Sequence, residues 1–296
     1  MGGGLSCYND FIYNKPMTYT PEQISQIVLK VLKEVETPDI LGLSYEKKIE
    51  LAKDPNTSQE ILKSLATDKH YDVRWGVAQN PNTSQETLAI LATDKNYGVR
   101  WRVAENPNTP QETLAILATD ENWSVRWRVA ENPNTPQELL RLLATGKDSY
   151  VRCCVAQNPN TSQETLAILA TDNDRSVRYG VAQNPNTSQE LLRLLATGKD
   201  SYVRCRVARN QNTSQETLAI LATDKYYDVR YLVAQNQNTS QELLNILATD
   251  EYSYVRNSAT ENPNYKKQTL ELSSVQYDAL KKLIESGQDE VLKGIL

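Results

Sequence analysis

Side-chain catalysis needs groups that titrate or attack near neutral pH, and this chain holds few of them. It has one histidine, His70, and four cysteines, Cys7, Cys153, Cys154 and Cys205. A histidine-rich metal site is therefore excluded, and any serine or cysteine triad would have to use His70. The cysteines have no disulfide-framework spacing, which points to a reduced, cytoplasmic compartment. The chain leans away from hydrolase chemistry, and no catalytic residue, cofactor or metal is expected.

The chemistry of recognition is better represented. Tyr occurs 16 times and Trp four times. Trp75, Trp101, Trp127, Tyr179 and Tyr231 share one register, and Arg102, Arg128 and Arg206 occupy the next position in theirs. Arg209 lies three residues beyond Arg206. Aromatic and arginine side chains are the usual anchors of protein interfaces, so these nine residues are the candidate partner-binding set. Packing competes with that reading: each Trp is four residues beyond Tyr71, Tyr97 or Trp123 and can stack on it. Glu105 and Glu131 follow Arg102 and Arg128 at i+3, which suits solvated ion pairs. A net charge of -5 excludes a globally basic nucleic-acid binder.

A repeat fixes these registers. Asn-Pro-Asn-Thr begins at Asn80, Asn106, Asn132, Asn158 and Asn184, and continues as Asn-Gln-Asn-Thr at Asn210 and Asn236. Asp54-Pro55-Asn56-Thr57 opens the series, and every step is 26 residues. Eight units run from 54 to 261, and residues 132–183 resemble 184–235 closely, as a two-unit duplication would. Each unit predicts two helices. Thr109-Pro110-Gln111-Glu112 reads as a Thr N-cap, Pro in the first turn and a capping-box Glu. Leu114, Leu117 and Ala118 then form an i, i+3, i+4 apolar face. A short second helix over Trp123 to Glu131 turns Val125, Val129 and Ala130 inward.

Arg126 falls within that apolar arc and recurs as Arg74, Arg100, Arg152, Arg178, Arg204, Arg230 and Arg256. A charge so placed needs a partner, and the turn carboxylates Asp68, Asp94, Asp120, Asp172, Asp224 and Asp250 can supply it. Gly146 and Gly198 replace that Asp in two units, with Asp148 and Asp200 nearby as substitutes. The second Asn of each motif (Asn82, Asn108, Asn134) is expected to satisfy turn backbone. His70 is expected at the surface of a turn. One unit cannot stand alone: burying about five apolar side chains yields roughly 10–15 kcal/mol, while ordering its backbone costs at least about 26 kcal/mol. Stacking must supply the difference.

The expected organisation is an N-terminal arm over 1–20, a helical cap over 21–53, the repeats over 54–261 and a helical cap over 262–296. Tyr45, Leu51 and Ala52 match Tyr71, Val77 and Ala78 of a second helix. Thr20-Pro21-Glu22-Gln23 opens a helix over about 21–35, and Ser274 can cap one over 275–286. Residues 1–20 lack the basic start and apolar run of a secretory signal. Met1-Gly2-Gly3-Gly4-Leu5-Ser6 fits an N-acylation pattern, with Cys7 open to a second chain; membrane attachment is expected only if Gly2 and Cys7 are acylated.

The pattern Leu-x-x-Leu-Ala-x-Asp followed by Val-Arg-x-x-Val-Ala-x-Asn-Pro-Asn-Thr resembles the short HEAT-like and leucine-rich-variant repeats. The resemblance implies an all-α solenoid with an internal Asp/Arg ladder and second helices on the concave face. Some leucine-rich-variant proteins carry a cysteine-ligated cluster before the repeats; only Cys7 stands there in this chain, so no cluster is expected. The resulting expectation is a non-enzymatic scaffold that binds a protein or peptide, of undefined oligomeric state. The alternative is a nucleic-acid binder or HEAT-like DNA glycosylase using the same stripe, although no acidic residue stands out among Asp72, Asp228 and the capping carboxylates.

Overall fold

The computed structural model describes residues 40–267, together with residues 20, 22–26, 278, 281 and 282. Met1–Cys7, most of the helix expected over 21–35 and most of that over 275–286 lie outside the described residues. Residues 22–26 are helical. The Gln23 N–H donates to Thr20 Oγ1 (3.2 Å), and Gln23 Oε1 accepts from the Thr20 N–H (3.0 Å). Those two bonds are a reciprocal cap at the start expected there.

The described chain is all-helical and forms two compact units, Met1–Asn108 and Thr109–Leu296. In the first unit, Tyr45–Lys53, Tyr71–Gln79 and Tyr97–Glu105 are second helices of successive repeats, with Gln59–Leu65 and Gln85–Leu91 as the first helices between them. The second unit alternates in the same way from Gln111–Leu117 to Ser253–Glu261. Within each unit second helices pack on second helices, and in the larger unit first helices also pack on first helices. Leu114, Leu117, Val125, Val129 and Ala130 are fully buried, and their equivalents fill the seam in the other repeats, except that Thr260 in the last one is exposed.

The helix starts differ from the sequence expectation. Ser84, not Thr83, is the N-cap of Gln85–Leu91, and its side chain accepts from the Thr87 N–H (3.2 Å). Thr83 is buried, and its hydroxyl donates back to the Val77 carbonyl (2.6 Å). It therefore helps close the helix behind it, adding a donor to a last-turn carbonyl that also accepts the Asn80 N–H (3.1 Å). Glu86 falls at the second helical position rather than the capping-box position. Pro110 and Pro136 occupy the N-cap itself, with no side-chain bond.

Amide side chains stitch each repeat to the one before. Asn184 donates through Nδ2 to the carbonyls of Ala156 (2.8 Å) and Asn158 (2.9 Å), and accepts from the Asn186 N–H (2.9 Å). Asn80, Asn106, Asn158, Asn210, Asn236 and Asn262 repeat this arrangement. A second row runs outside it: Asn186 Nδ2 donates to the Pro159 carbonyl (2.6 Å). A third row is glutamine, where Gln163 bonds to the Asn186 carbonyl and accepts from the Ser188 N–H (3.0 Å).

The arginine ladder runs forward along the chain. Arg74 holds Asp94 of the next repeat by two bonds (2.5 and 2.9 Å) and the carbonyl of Asp68 in its own turn (2.7 Å). Arg152–Asp172, Arg204–Asp224 and Arg230–Asp250 are equivalent. Lys48 begins the ladder by pairing with Asp68 (2.9 Å), which makes Tyr45–Lys53 a second helix in function as well as pattern. Asp148 does substitute at Gly146, pairing with Arg126. Asp200 instead accepts from the Tyr202 N–H (2.9 Å) at its helix start, while Arg178 donates to the carbonyls of Asp172 and Asn173.

Candidate partner-binding surface

The second helices carry the candidate residues, and their neighbours in the stack decide how each is held. In the first unit, the Arg102 guanidinium lies 4.2 Å from the centre of the Trp75 ring and 4.5 Å from that of Trp101. Lys53 adds a second cation over Trp75 at 5.8 Å. In the larger unit, Arg128 lies over Trp127 (4.4 Å) and Arg206 over Tyr179 (4.4 Å). The side chain following the aromatic position of one repeat thus reaches back over the aromatic of its own or the preceding repeat. These contacts are each worth about 0.5–2 kcal/mol, the larger value where the pair is desolvated.

Arg102 also pairs with Glu105, and Arg128 with Glu131 (2.7 Å), as the i+3 spacing predicts. Arg102 Nε is buried without a hydrogen-bond acceptor, facing rings rather than oxygen. The Trp127 indole N–H donates to Cys154 Sγ (2.8 Å), and the Tyr231 hydroxyl accepts from Gln235 Nε2 (2.6 Å). Trp75, Trp101, Trp127, Tyr179 and Tyr231 are half-buried, whereas Arg209 is exposed. The i−4 stack expected for each Trp forms at Trp123–Trp127, with centroids 6.4 Å apart.

Sequence reasoning missed the most exposed rings. Tyr150, Tyr202 and Tyr254, at the position just before the first inward Val of their helices, are 74%, 68% and 71% exposed. Trp123 and Tyr227, one residue earlier in their own repeats, are also exposed. Trp123 meets Tyr150 with centroids 5.9 Å apart, and Tyr227 stacks on Tyr252 at 4.9 Å and 18°. The signal was available in the Tyr count and in the variation of these positions between otherwise constant repeats. His70 is exposed, as expected, with its ring edge-on to Tyr45 (5.2 Å).

The cysteines here are chemically quiet. Burial pushes the Cys154 thiol up to about 12, helped by the charge of Glu131 and opposed by the Trp127 N–H. Burial likewise raises Cys153 and Cys205. At pH 7.5 Cys154 is expected to alkylate with iodoacetamide roughly a thousandfold more slowly than an unhindered thiol, because the thiolate is the reactive form. Peptide mapping by mass spectrometry checks this, and labelling at the rate of free cysteine contradicts it. Among the described residues, no group of three or more His, Cys, Asp and Glu is placed to hold a metal ion. None of the described helices is long and apolar enough to cross a membrane.

Comparison with known proteins agrees with the architecture. The leucine-rich repeat variant domain model matches residues 99–153 and again 154–210. A solved structure described as a leucine-rich repeat variant with a novel repetitive protein structural motif aligns at 26% identity and a TM-score of 0.56, covering 72% of this chain and 85% of its own. An engineered protein aligns at 17% identity and a TM-score of 0.38, covering 88% of this chain and 92% of its own. No curated protein matches the chain. Residues 99–210 thus resemble two tandem leucine-rich repeat variant domains and lie within a longer run of the same two-helix repeat.

Proposed function

We propose that the chain is a binding scaffold rather than an enzyme, and that the second-helix face takes a protein or peptide partner. The observation that carries this reading is the row of exposed rings, Tyr150, Tyr202 and Tyr254, held on a framework whose core positions scarcely change. Large exposed aromatics cost solubility when nothing covers them, and a rigid aromatic is the side chain that loses least entropy on binding. In the larger unit the half-buried Trp127, Arg128, Tyr179, Arg206 and Tyr231 are the proposed floor of this face, with Arg209 at its edge, and in the first unit Trp75, Trp101 and Arg102 hold the same positions on their own second helices. Pairing of Arg102 and Arg128 with glutamates favours a protein partner over a phosphate backbone, which needs unneutralised cations.

The test is capture of partners from native lysate after nuclease treatment. It compares the wild type, a Tyr150→Ser/Tyr202→Ser/Tyr254→Ser variant and a Trp101→Ala/Arg102→Ala/Trp127→Ala/Arg128→Ala variant. The tyrosine variant is expected to lose a captured protein while its thermal midpoint stays within about 2 °C, since exposed side chains contribute little to stability. Identical capture by both variants removes this face from the proposal.

A further inference from the structure

One part of this face is a cleft of about 340 Å³ where three second helices meet, Ser149–Gln157, Arg175–Gln183 and Ser201–Arg209. Its walls include Cys153, Tyr179, Tyr202 and Val203, with Gln157 and Asp200 also in the lining. The cleft sits where the repeat pattern loses a ring. Cys153 stands at the position held by Trp75, Trp101, Trp127, Tyr179 and Tyr231 in other repeats. A thiol fills far less space than an indole, and a core-like seam that loses a large side chain leaves its volume open.

A second ring is replaced at the same place. In the preceding pair of repeats Trp123 meets Tyr150, and in the following pair Tyr227 stacks on Tyr252. Between them, Arg175 takes the position of Trp123 and Tyr227 and lies 5.6 Å from the centre of the Tyr202 ring. Tyr202, 68% exposed, therefore offers a ring face beside which the exposed Arg175 lies. Gly180 contributes by its size: a Cβ there would lie 3.0 Å from Ala156 Cβ and 3.1 Å from the Cys153 carbonyl, so glycine lets the first two helices close together beneath the opening.

The polar groups at the cleft set the charge of what enters. Asp200 lines it, and Asp174 caps the helix start beside it by accepting from the Ser176 N–H (2.8 Å). Against these two carboxylates stands Arg175. The Cys153 thiol is already engaged, donating to the Ser176 carbonyl (3.3 Å). A doubly charged anion such as a phosphorylated ring would face both carboxylates, whereas an indole N–H or a neutral phenyl ring would not be repelled.

We infer that this cleft takes one uncharged aromatic side chain of a peptide partner, which stacks on Tyr202 and fills the volume that Cys153 leaves open. The inference rests on the proposed scaffold role and names the anchor that one segment of the face selects. Its size agrees, since pockets of roughly 300–1,000 Å³ are those that enclose ligands.

Selection of displayed random peptides on the intact chain tests it, run in parallel on Cys153→Trp, which restores the indole of the other repeats. Tyr202→Ser is the second variant, should the tryptophan not be accommodated. Peptides enriched on the wild type are expected to share a Trp, Phe or Tyr. Replacing that residue by Ala, or phosphorylating it when it is Tyr, is expected to weaken binding roughly tenfold or more. The same loss is expected on Cys153→Trp and on Tyr202→Ser. Enriched peptides that bind both variants as well as the wild type overturn the cleft and leave the scaffold reading standing. A selection that enriches nothing overturns both.

Discussion

Replacing Asn184 by Ala is expected to cost about 2–4 kcal/mol of stability. Asn184 is 1% exposed and makes three hydrogen bonds, one of them to the Asn158 carbonyl that opens the preceding repeat and one to the Ala156 carbonyl just before it. The Ala156 carbonyl lies in the last turn of Ser149–Gln157, where no intrahelical donor is available, and Asn184 is the donor that reaches it. The Ala156 carbonyl left unpaired costs roughly 1–3 kcal/mol, whereas the Asn158 carbonyl keeps the Thr161 N–H (3.0 Å). Asn186→Ala is the contrast: its bond to the Pro159 carbonyl is exposed to water, which can replace it, so a loss below about 1 kcal/mol is expected. Urea denaturation followed by circular dichroism measures both. Equal effects at the two positions would show that the inner row has no special role.

Acidification is expected to unfold the chain by way of the arginine ladder. Burial alone would push the Asp224 carboxyl up, but the Arg204 bonds and the Tyr226 N–H outweigh it, and the net shift is downward. Asp94 and Asp172 behave in the same way. At Asp250 the hydrogen bond from Arg230 is the leading cause. A carboxyl whose folded pKa is depressed contributes stability above its unfolded value, near 3.9, and loses it as the pH falls through the folded value. Thermal midpoints are therefore expected to hold from pH 7 to about pH 5 and to fall steeply below about pH 4.

Arg204→Met isolates one rung of that ladder. At pH 7 it leaves the Asp224 carboxylate buried without its cation, a change worth about 3–5 kcal/mol. As the pH falls that carboxyl takes a proton first in the variant and, once the pH passes its depressed value, in the wild type too, so the gap between them is expected to narrow. A gap that stays constant from pH 7 to pH 3 would mean the guanidinium acts by packing and not by charge.

What was legible in the sequence follows from what a single repeat determines. The 26-residue period, both helices, Leu114, Leu117, Val125 and Val129 as core, and the need of Arg126 for a carboxylate are all set within one unit or by simple periodicity. Which hydroxyl caps the first helix was not legible, because Thr83 and Ser84 are adjacent and both can accept an N–H. The choice depends on the Val77 carbonyl behind them, which takes the Thr83 hydroxyl. The Asp148 substitution was legible as a possibility. That Asp200 caps its own helix instead depends on placement between repeats.

The binding surface was legible only in part for the same reason. The candidate stripe at Trp75, Trp101 and Trp127 stands out by residue type, yet its exposure is set by Arg102 and Arg128 folding over the rings. The cleft beside Cys153 is a property of three helices from three repeats. It shows in the sequence only as a small residue in an aromatic column, a signal that acquires meaning once the column is known to be a line of contacts.

The inner asparagine row carries one more consequence. The two carbonyls that Asn184 meets are presented in the same way by the repeats before and after, as the matching bonds of Asn158 and Asn210 show. The joints within each unit share the same plug and the same socket. A copied block of 52 residues, such as the one that relates residues 132–183 to 184–235, enters such a chain with both of its ends already fitted. Lengthening therefore requires no new contact, and the framework can stay fixed while each copy's outward rings diverge.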